Sequence, residues 1–215
     1  MFYLTHLNRC ALCGDGGERL CLPCRADISR NRPTIQCPVC AATVTANGLC
    51  GTCVKKPPFF DRTVTAQIYK PPLSFLIRRY KYGDGWQLSS LLAKFLPPPP
   101  PTNSVLAVPL HPARERWRGF NQSRELAREI FGPSPANDKR ILRVANTAPQ
   151  TNQPNTAARK KNVRGAFQAS DKLNGLSVLV VDDVMSSGAT LNEIAKTLKK
   201  AGVKTVTNFI VARAP

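Results

Sequence analysis

The chain of 215 residues is 42% hydrophobic and carries a formal net charge of +18 at pH 7. It is long enough for one good core and a small extra module, and no apolar run is long enough to cross a membrane. Residues 1–9 lack the cationic and apolar stretches of a secretory signal, so we expect a cytoplasmic protein without membrane insertion.

The positive charge is concentrated in the larger part of the chain. Residues 1–57 hold 7 Lys/Arg and 3 Asp/Glu, whereas the remainder holds 24 and 10. An excess of this size favours a nucleic-acid partner. The alternative is a generally basic, soluble protein.

All the cysteines lie in the first quarter of the chain, as four Cys-x-x-Cys pairs. The pairs are Cys10/Cys13, Cys21/Cys24, Cys37/Cys40 and Cys50/Cys53. In a cytoplasmic chain such pairs favour metal over disulfides, and four thiolates complete a structural zinc shell. We pair the first with the second and the third with the fourth, which predicts two zinc sites. A cross-braced pairing and an iron–sulfur cluster are the alternatives.

The segment Lys55–Phe60 marks a predicted boundary between a cysteine module, 1–57, and a second domain, 58–215. Hydrophobic patterning then predicts several elements ahead of the central part of the chain. These are a strand over Thr63–Tyr69, helices over Leu73–Tyr82 and Trp86–Leu96, and a stiff proline spacer over Pro97–Pro101.

An arginine-rich loop is predicted between a buried strand, Ser104–Leu110, and a helix that ends near Phe131. The loop contains His111, Arg114, Arg116, Trp117, Arg118 and Phe120. Arginine suits phosphate oxygens because its donors form a fixed fork. A solvated basic turn is the alternative. Trp117 and Phe120 could stack bases, although we expect Phe120 to be buried in the core.

Residues 178–190 carry the strongest functional signal. A buried strand over Val178–Val181 is followed by Asp182 and Asp183, which we place at its carboxyl end. A small polar loop and an amphipathic helix come next, with one apolar face at helical spacing. That face comprises Leu191, Ile194, Ala195 and Leu198. Gly202 ends the helix, and Thr205–Ala212 forms the next strand. Such a unit predicts a parallel sheet that binds ligands at its carboxyl edge.

The chemistry of this loop is that of a ribose phosphate site. The amides of Ser186–Thr190 lie at a helix N-terminus, which attracts phosphate. Asp182 and Asp183 are acceptor-only groups that suit two adjacent ribose hydroxyls. One loop would thus hold a ribose 5-phosphate by both ends. The alternative is an ordinary strand–turn–helix with a polar loop.

The stretch from Asp182 to Thr190 resembles the phosphoribosyl pyrophosphate (PRPP) motif of type I phosphoribosyltransferases, with Ser186 and Ser187 in place of two threonines. The resemblance implies an α/β fold with a central, mostly parallel sheet flanked by helices. It implies a core over 102–215 and a hood or connecting region over 58–101. PRPP would bind with Mg²⁺.

The same resemblance implies roles for individual residues. The PRPP loop would comprise Asp182, Asp183, Met185, Ser186, Ser187, Gly188, Ala189 and Thr190. His111, Arg114 and Arg118 would face the pyrophosphate, and Lys81 is a further phosphate candidate. Residues 146–163 suit the mobile loop that closes over PRPP, and Arg159 and Lys160 would close from it as candidate catalytic residues.

Further motifs narrow the resemblance to the ComF family of competence proteins, which includes gluconate utilisation protein X-like members. The motifs are Val108-Pro-Leu-His111, Arg118-Gly-Phe-Asn-Gln122, Gln150-Thr151, and the stretch from Arg159 to Phe167. A cysteine module ahead of the PRPP domain is also typical of that family. The resemblance implies a double zinc ribbon followed by a type I phosphoribosyltransferase domain.

The family resemblance also implies a biological role in natural transformation, in which imported single-stranded DNA is handled in the cytosol. The expected partners are single-stranded DNA, PRPP and other competence proteins such as a DNA helicase. The alternative is an active phosphoribosyltransferase that transfers ribose 5-phosphate to an unknown acceptor. The sequence leaves open whether turnover occurs.

Overall fold

The computed structural model describes residues 9–83, 85–133, 139–147 and 155–215. The α-helices are α1 (Leu22–Ser29), α2 (Gly51–Lys55), α3 (Leu73–Tyr82), α4 (Ser89–Ala93), α5 (Pro112–Arg118), α6 (Gln122–Phe131), α7 (Thr156–Val163) and α8 (Ala189–Lys200). The strands are β1 (Arg62–Val64), β2 (Ser104–Ala107), β3 (Ile141–Arg143), β4 (Phe167–Ala169), β5 (Ser177–Met185) and β6 (Thr205–Arg213). Short 3₁₀ turns cover Gly85–Leu88 and Asp171–Leu173.

A four-stranded parallel sheet in the order β1-β6-β5-β2 forms the centre of the fold. Its middle strand, β5, is apolar over Val178–Val181 because helices cover both faces of the sheet. Strands β3 and β4 form a separate antiparallel pair. The predicted α/β fold with a parallel sheet is confirmed.

The two faces of the sheet bury different helices. Val178 and Val180 join a cluster that contains the apolar face of α8, which is buried at the predicted positions. Leu179 and Val181 join the cluster formed with α3, α4 and α6. Successive side chains of a strand point to opposite faces of the sheet, which explains this division.

The cysteine segment packs against the domain on both sides. Cys37, Cys40 and Cys53 belong to the cluster on the α8 face. Cys10 belongs to the cluster on the α3 face, together with Leu20 and Ile28. The cysteine segment is therefore part of the hydrophobic core and not a separately folded appendage.

Several elements differ from the prediction. The arginine-rich stretch is not a loop, because Pro112–Arg118 forms α5. His111 caps this helix by accepting the Ala113 N–H at its Nδ1, 3.3 Å away, and Pro112 follows directly, where proline is favoured. Gly119 ends the helix with φ of 85°.

Other corrections concern element bounds. Strand β1 is shorter than predicted, and only an isolated bridge from Ile68 to Arg213 continues it. The predicted helix over Trp86–Leu96 is a 3₁₀ turn followed by α4, and β2 ends at Ala107. Strand β5 continues through the two aspartates to Met185, because β6 pairs with it that far.

Part of the predicted mobile loop lies on a helix. Residues 155–163 include α7, which carries Arg159 and Lys160. Residues 148–154 of that loop, with Gln150 and Thr151, lie outside the described residues. Within the described ranges, no helix has the length and apolarity needed to cross a membrane.

Candidate functional site

A cleft of about 780 Å³ opens at the carboxyl end of β5. It is bounded by α3, α5 and α7 and by the N-terminus of α8. Most of the predicted PRPP residues line it, namely Lys81, Arg114, Arg118, Arg159, Asp182, Asp183, Met185, Ser186, Ser187, Gly188, Ala189 and Thr190. The sequence therefore located residues that the fold brings together from four separate segments.

Two predicted residues do not line this cleft. The His111 side chain caps α5, and Lys160 lines a second cavity on the other side of the Ser187–Ala189 loop. Neighbouring positions on α7 thus face different spaces, because successive helical residues point about 100° apart.

The aspartate pair is buried and has protein partners. Asp182 and Asp183 are 8% and 2% exposed. Ser123 Oγ donates to Asp182 Oδ1 at 2.7 Å, and Lys81 Nζ lies 3.0 Å from Asp183 Oδ2. Burial, reinforced by the charge of Asp183, raises the pKa of Asp182 to about 7. Lys81 thus neutralises Asp183, whereas the partner of Asp182 is the neutral hydroxyl of Ser123.

The loop between β5 and α8 is shaped by Gly188. This residue is the N-cap of α8, has φ of 72° and provides no side-chain cap to the helix. A Cβ at Gly188 would lie 2.6 Å from Met185 Cε, a flexible side-chain end that can move, so the positive φ is what disfavours a larger residue here. The backbone amides at this helix start are suited to an anion.

Arginines supply most of the positive charge of the cleft. Burial, followed by the neighbouring charge of Arg118, lowers the pKa of Arg114. Burial, followed by the charge of Arg114, also lowers that of Arg143. Among the described residues, no carboxylate forms an ion pair with Arg114, Arg118 or Arg143. A cluster of cations without anionic partners favours an anionic ligand.

The sequence analysis missed several contributors to the cleft, among them Arg143, Arg78 and Ser123. Arg143 ends β3 and is 9% exposed, with its guanidinium 5.5 Å from the Phe167 ring centroid. Arg78 on α3 also lines the cleft, and Ser123 orients Asp182 from α6. Arg78 precedes Lys81 by three residues, so helical spacing could have indicated it. No sequence pattern indicates Arg143 or Ser123, because tertiary packing brings these two residues to the cleft.

Arg213 connects the loop between β5 and α8, called the phosphate loop below, with the cysteine module. Its Nη1 donates to the carbonyl oxygens of Met185 and Ser186, at 3.1 and 2.6 Å. Its Nε donates to the carbonyl oxygen of Cys40 at 3.0 Å. One side chain at the end of β6 therefore holds both backbones in place.

The cysteines form two groups of four, in the predicted pairing. One group is Cys10, Cys13, Cys21 and Cys24, and the other is Cys37, Cys40, Cys50 and Cys53. The sulfur atoms of each group lie within 4.8 Å of one another. Cys40 and Cys50 sulfurs are 3.5 Å apart, close to the spacing of about 3.8 Å set by Zn–S bonds of about 2.3 Å. Each group could hold a zinc ion.

The thiols of each group differ in pKa. Burial opposes ionisation of Cys10 and Cys37, but backbone hydrogen bonds outweigh it and lower each thiol pKa to about 6. Burial raises the pKa of Cys24, Cys40 and Cys53 instead. Because a thiolate is the form that binds zinc, Cys10 and Cys37 are the thiols most ready to bind a metal.

The sheet and its cleft define a type I phosphoribosyltransferase domain, and residues 104–215 match the family model described as "Phosphoribosyl transferase domain". DNA utilization protein YhgH of Salmonella typhi is 30% identical over 98% of this chain and 92% of its own length. Competence protein F of Haemophilus influenzae is 32% identical over 77% of this chain and 78% of its own. Competence protein ComFC of Bacillus subtilis is 24% identical over 92% and 85%. The chain belongs to the ComF family, as predicted.

Proposed function

We propose that the cleft binds PRPP together with Mg²⁺. The observation that carries this proposal is the convergence of the α8 N-terminus, a buried aspartate pair, and Arg114, Arg118 and Arg143, which pair with no carboxylate among the described residues. The amides of Ser186–Thr190 would hold the 5-phosphate. Asp182 and Asp183 would accept from the ribose hydroxyls, and Arg114 and Arg118 would face the pyrophosphate.

Three further residues would support this binding mode. Arg143 adds a buried cation that lines the same cleft. Arg159 donates to Ser186 Oγ at 3.4 Å, so α7 already contacts the phosphate loop. Lys81 can exchange its contact with Asp183 for a phosphate oxygen. His111 would act by fixing α5, and Lys160 would not reach the ligand.

Magnesium fits the donor set of the cleft, because carboxylate oxygens are its preferred protein ligands and it needs few of them. When bound, Mg²⁺ would be held by Asp182 and Asp183 and would offset the negative charge of the pyrophosphate. The residues of this chain would position the ligand and neutralise the departing pyrophosphate.

The proposed biological role is to handle single-stranded DNA in the cytosol during natural transformation. Support comes from the +18 charge and from relatives named for competence and DNA utilization. On this view PRPP is a ligand or signal, and a DNA helicase of the same machinery is a candidate partner.

The test is calorimetric titration with PRPP, with and without Mg²⁺. Replacing both aspartates (Asp182→Asn, Asp183→Asn) removes charge-assisted hydrogen bonds, and we expect a loss of about 2–4 kcal/mol of binding free energy. Asp171→Asn is the matched control, since this exposed carboxylate lies before β5, far from the cleft. Unchanged PRPP affinity in the double variant would overturn the site assignment.

Active phosphoribosyl transfer is the second candidate function. The contact between Arg159 and Ser186 favours it, because it places a cation from the closing segment at the phosphate loop. Release of pyrophosphate from PRPP, measured with and without single-stranded DNA, distinguishes the two. Pyrophosphate release matched by ribose 5-phosphate bonded to an acceptor would establish a transferase, whereas binding without release supports a ligand or signal role.

A further inference from the structure

A second cavity of about 360 Å³ lies behind the phosphate loop. Its walls are the second cysteine group, the linker Lys56–Phe60, and the facing sides of α7 and α8. Ser187, Gly188 and Ala189 line this cavity as well as the PRPP cleft, so the loop separates the two spaces. A volume near the low end for ligand pockets is sufficient for one nucleotide.

An exposed aromatic ring stands at this cavity. Phe59 is 48% exposed, although it adjoins the fully packed Phe60. Its backbone N–H donates to Asn192 Oδ1 on α8 at 2.7 Å, which fixes the linker to a rigid helix. Lys196 Nζ lies 5.8 Å from the ring centroid. The backbone at Phe59 is therefore fixed, while about half of the residue's surface stays accessible to a ligand.

The charges around the ring are predominantly positive. Lys56, Lys160, Arg164 and Lys196 line the cavity. In the described parts of the chain, no carboxylate forms an ion pair with any of them. Among the described lining residues, Glu193 is the only acidic one, and it accepts the Gly165 N–H at 2.9 Å. The cavity thus presents unneutralised cations beside an aromatic face.

We propose that this cavity is a subsite for single-stranded nucleic acid, in which a base stacks on Phe59 and adjacent phosphates contact the surrounding cations. Aromatic platforms flanked by lysine and arginine bind single strands without sequence preference, because every base has a flat face. An acidic peptide would use the cations but has no need of the ring. The subsite rests on the DNA binding proposed above.

The experiment compares an oligothymidylate with an abasic oligonucleotide of equal length, by fluorescence anisotropy on the zinc-loaded protein. Phe59→Ala should weaken oligothymidylate binding about tenfold, within the range for one stacked base, and leave the abasic strand unaffected. Phe59→Tyr keeps the ring and should bind as wild type does. An equal loss for both strands, or no loss, would overturn the subsite.

The phosphate contacts are tested by the salt dependence of binding. Lys160→Gln and Lys196→Gln should each reduce the slope of log affinity against log salt by about 0.7. Lys204→Gln is the control, since this exposed lysine precedes β6 at the other end of the sheet. Identical slopes for all three variants would exclude these contacts.

Two further outcomes separate the competing explanations. A base-dependent loss in Trp117→Ala but not in Phe59→Ala would move the stacking platform to α5, where Trp117 is 74% exposed. Polyglutamate that displaces the strand equally from wild type and Phe59→Ala would indicate an acidic peptide. If wild type binds neither strand, the DNA-handling role fails as well, while PRPP calorimetry still tests the cleft.

Discussion

Asp182 shows how one buried carboxyl can make stability depend on pH. Burial and the charge of Asp183 raise its pKa from 3.8 to about 7, and Ser123 and Lys81 only partly oppose this. Between these values the folded chain keeps a proton that the unfolded chain has released, so the free energy of unfolding falls as pH rises. Ionised Asp182 is therefore a destabilising group in the absence of ligand.

We expect ligand-free Asp182→Asn to unfold at a higher temperature than wild type above pH 7, since the substitution removes the buried negative charge. The two proteins should converge only below pH 3.8, where Asp182 is protonated in both states. Circular dichroism melting curves across this interval provide the measurement, with Asp171→Asn as the exposed control. A constant difference between wild type and Asp182→Asn at every pH would contradict the explanation.

At the level of elements, the N-terminus of α6 positions Ser123, the hydrogen-bond partner of Asp182. Asn121 is 2% exposed, and its Oδ1 accepts the Ser123 and Arg124 N–H groups at 3.0 and 3.2 Å. Its Nδ2 donates to the Val108 carbonyl oxygen at 3.1 Å. This cap thus fixes the turn that places Ser123 against Asp182.

Asn121→Ala should lower the free energy of unfolding by about 2 kcal/mol, from the lost cap and the unsatisfied Val108 carbonyl. Asn155→Ala is the comparison, because Asn155 caps α7 through a single exposed contact to the Ala158 N–H at 2.9 Å. Its cost should be about 1 kcal/mol or less. Equilibrium urea unfolding distinguishes them, and equal costs would show that burial of the cap is unimportant.

The elements predicted correctly from the sequence were those with a clear periodicity of hydrophobic residues or of cysteines. The buried face of α8 and the apolar run of β5 follow directly from spacing, and the cysteine pairs grouped as their order suggested. The helix α5 was missed because its arginines suggested a loop, although Pro112 and Gly119 are typical helix boundaries. Strand β3 has three residues, too few for an alternating pattern. The strand was therefore not predicted from the sequence, and neither was the position of Arg143 at its end.

For the whole molecule, metal content is the first prediction. The purified protein should hold two zinc ions, each contributing on the order of 10 kcal/mol to folding. Because the two cysteine groups pack into different core clusters, Cys10→Ser and Cys37→Ser should both give a poorly soluble protein. Elemental analysis tests this. An iron chromophore, or absence of zinc, would refute the assignment.

Charge over the whole surface leads to a second prediction. Single-stranded DNA should bind with little sequence preference, and four to six phosphate contacts give a log–log salt slope of roughly −3 to −4. Filter binding in rising salt measures the slope, and repetition with saturating PRPP and Mg²⁺ tests competition. A flat salt response would remove the nucleic-acid partner. Unchanged affinity under PRPP would place the DNA path away from the cleft.

The bridging side chain of Arg213 would couple a zinc ion held by the second cysteine group to a ligand bound in the cleft. It joins the backbone of Cys40, a metal-group residue, to the carbonyls that precede Gly188. Any factor by which zinc occupancy tightens ligand binding must equal the factor by which ligand tightens zinc binding. Loss of zinc from the second cysteine group would then lower ligand affinity together with stability, and bound ligand would in turn slow the release of zinc.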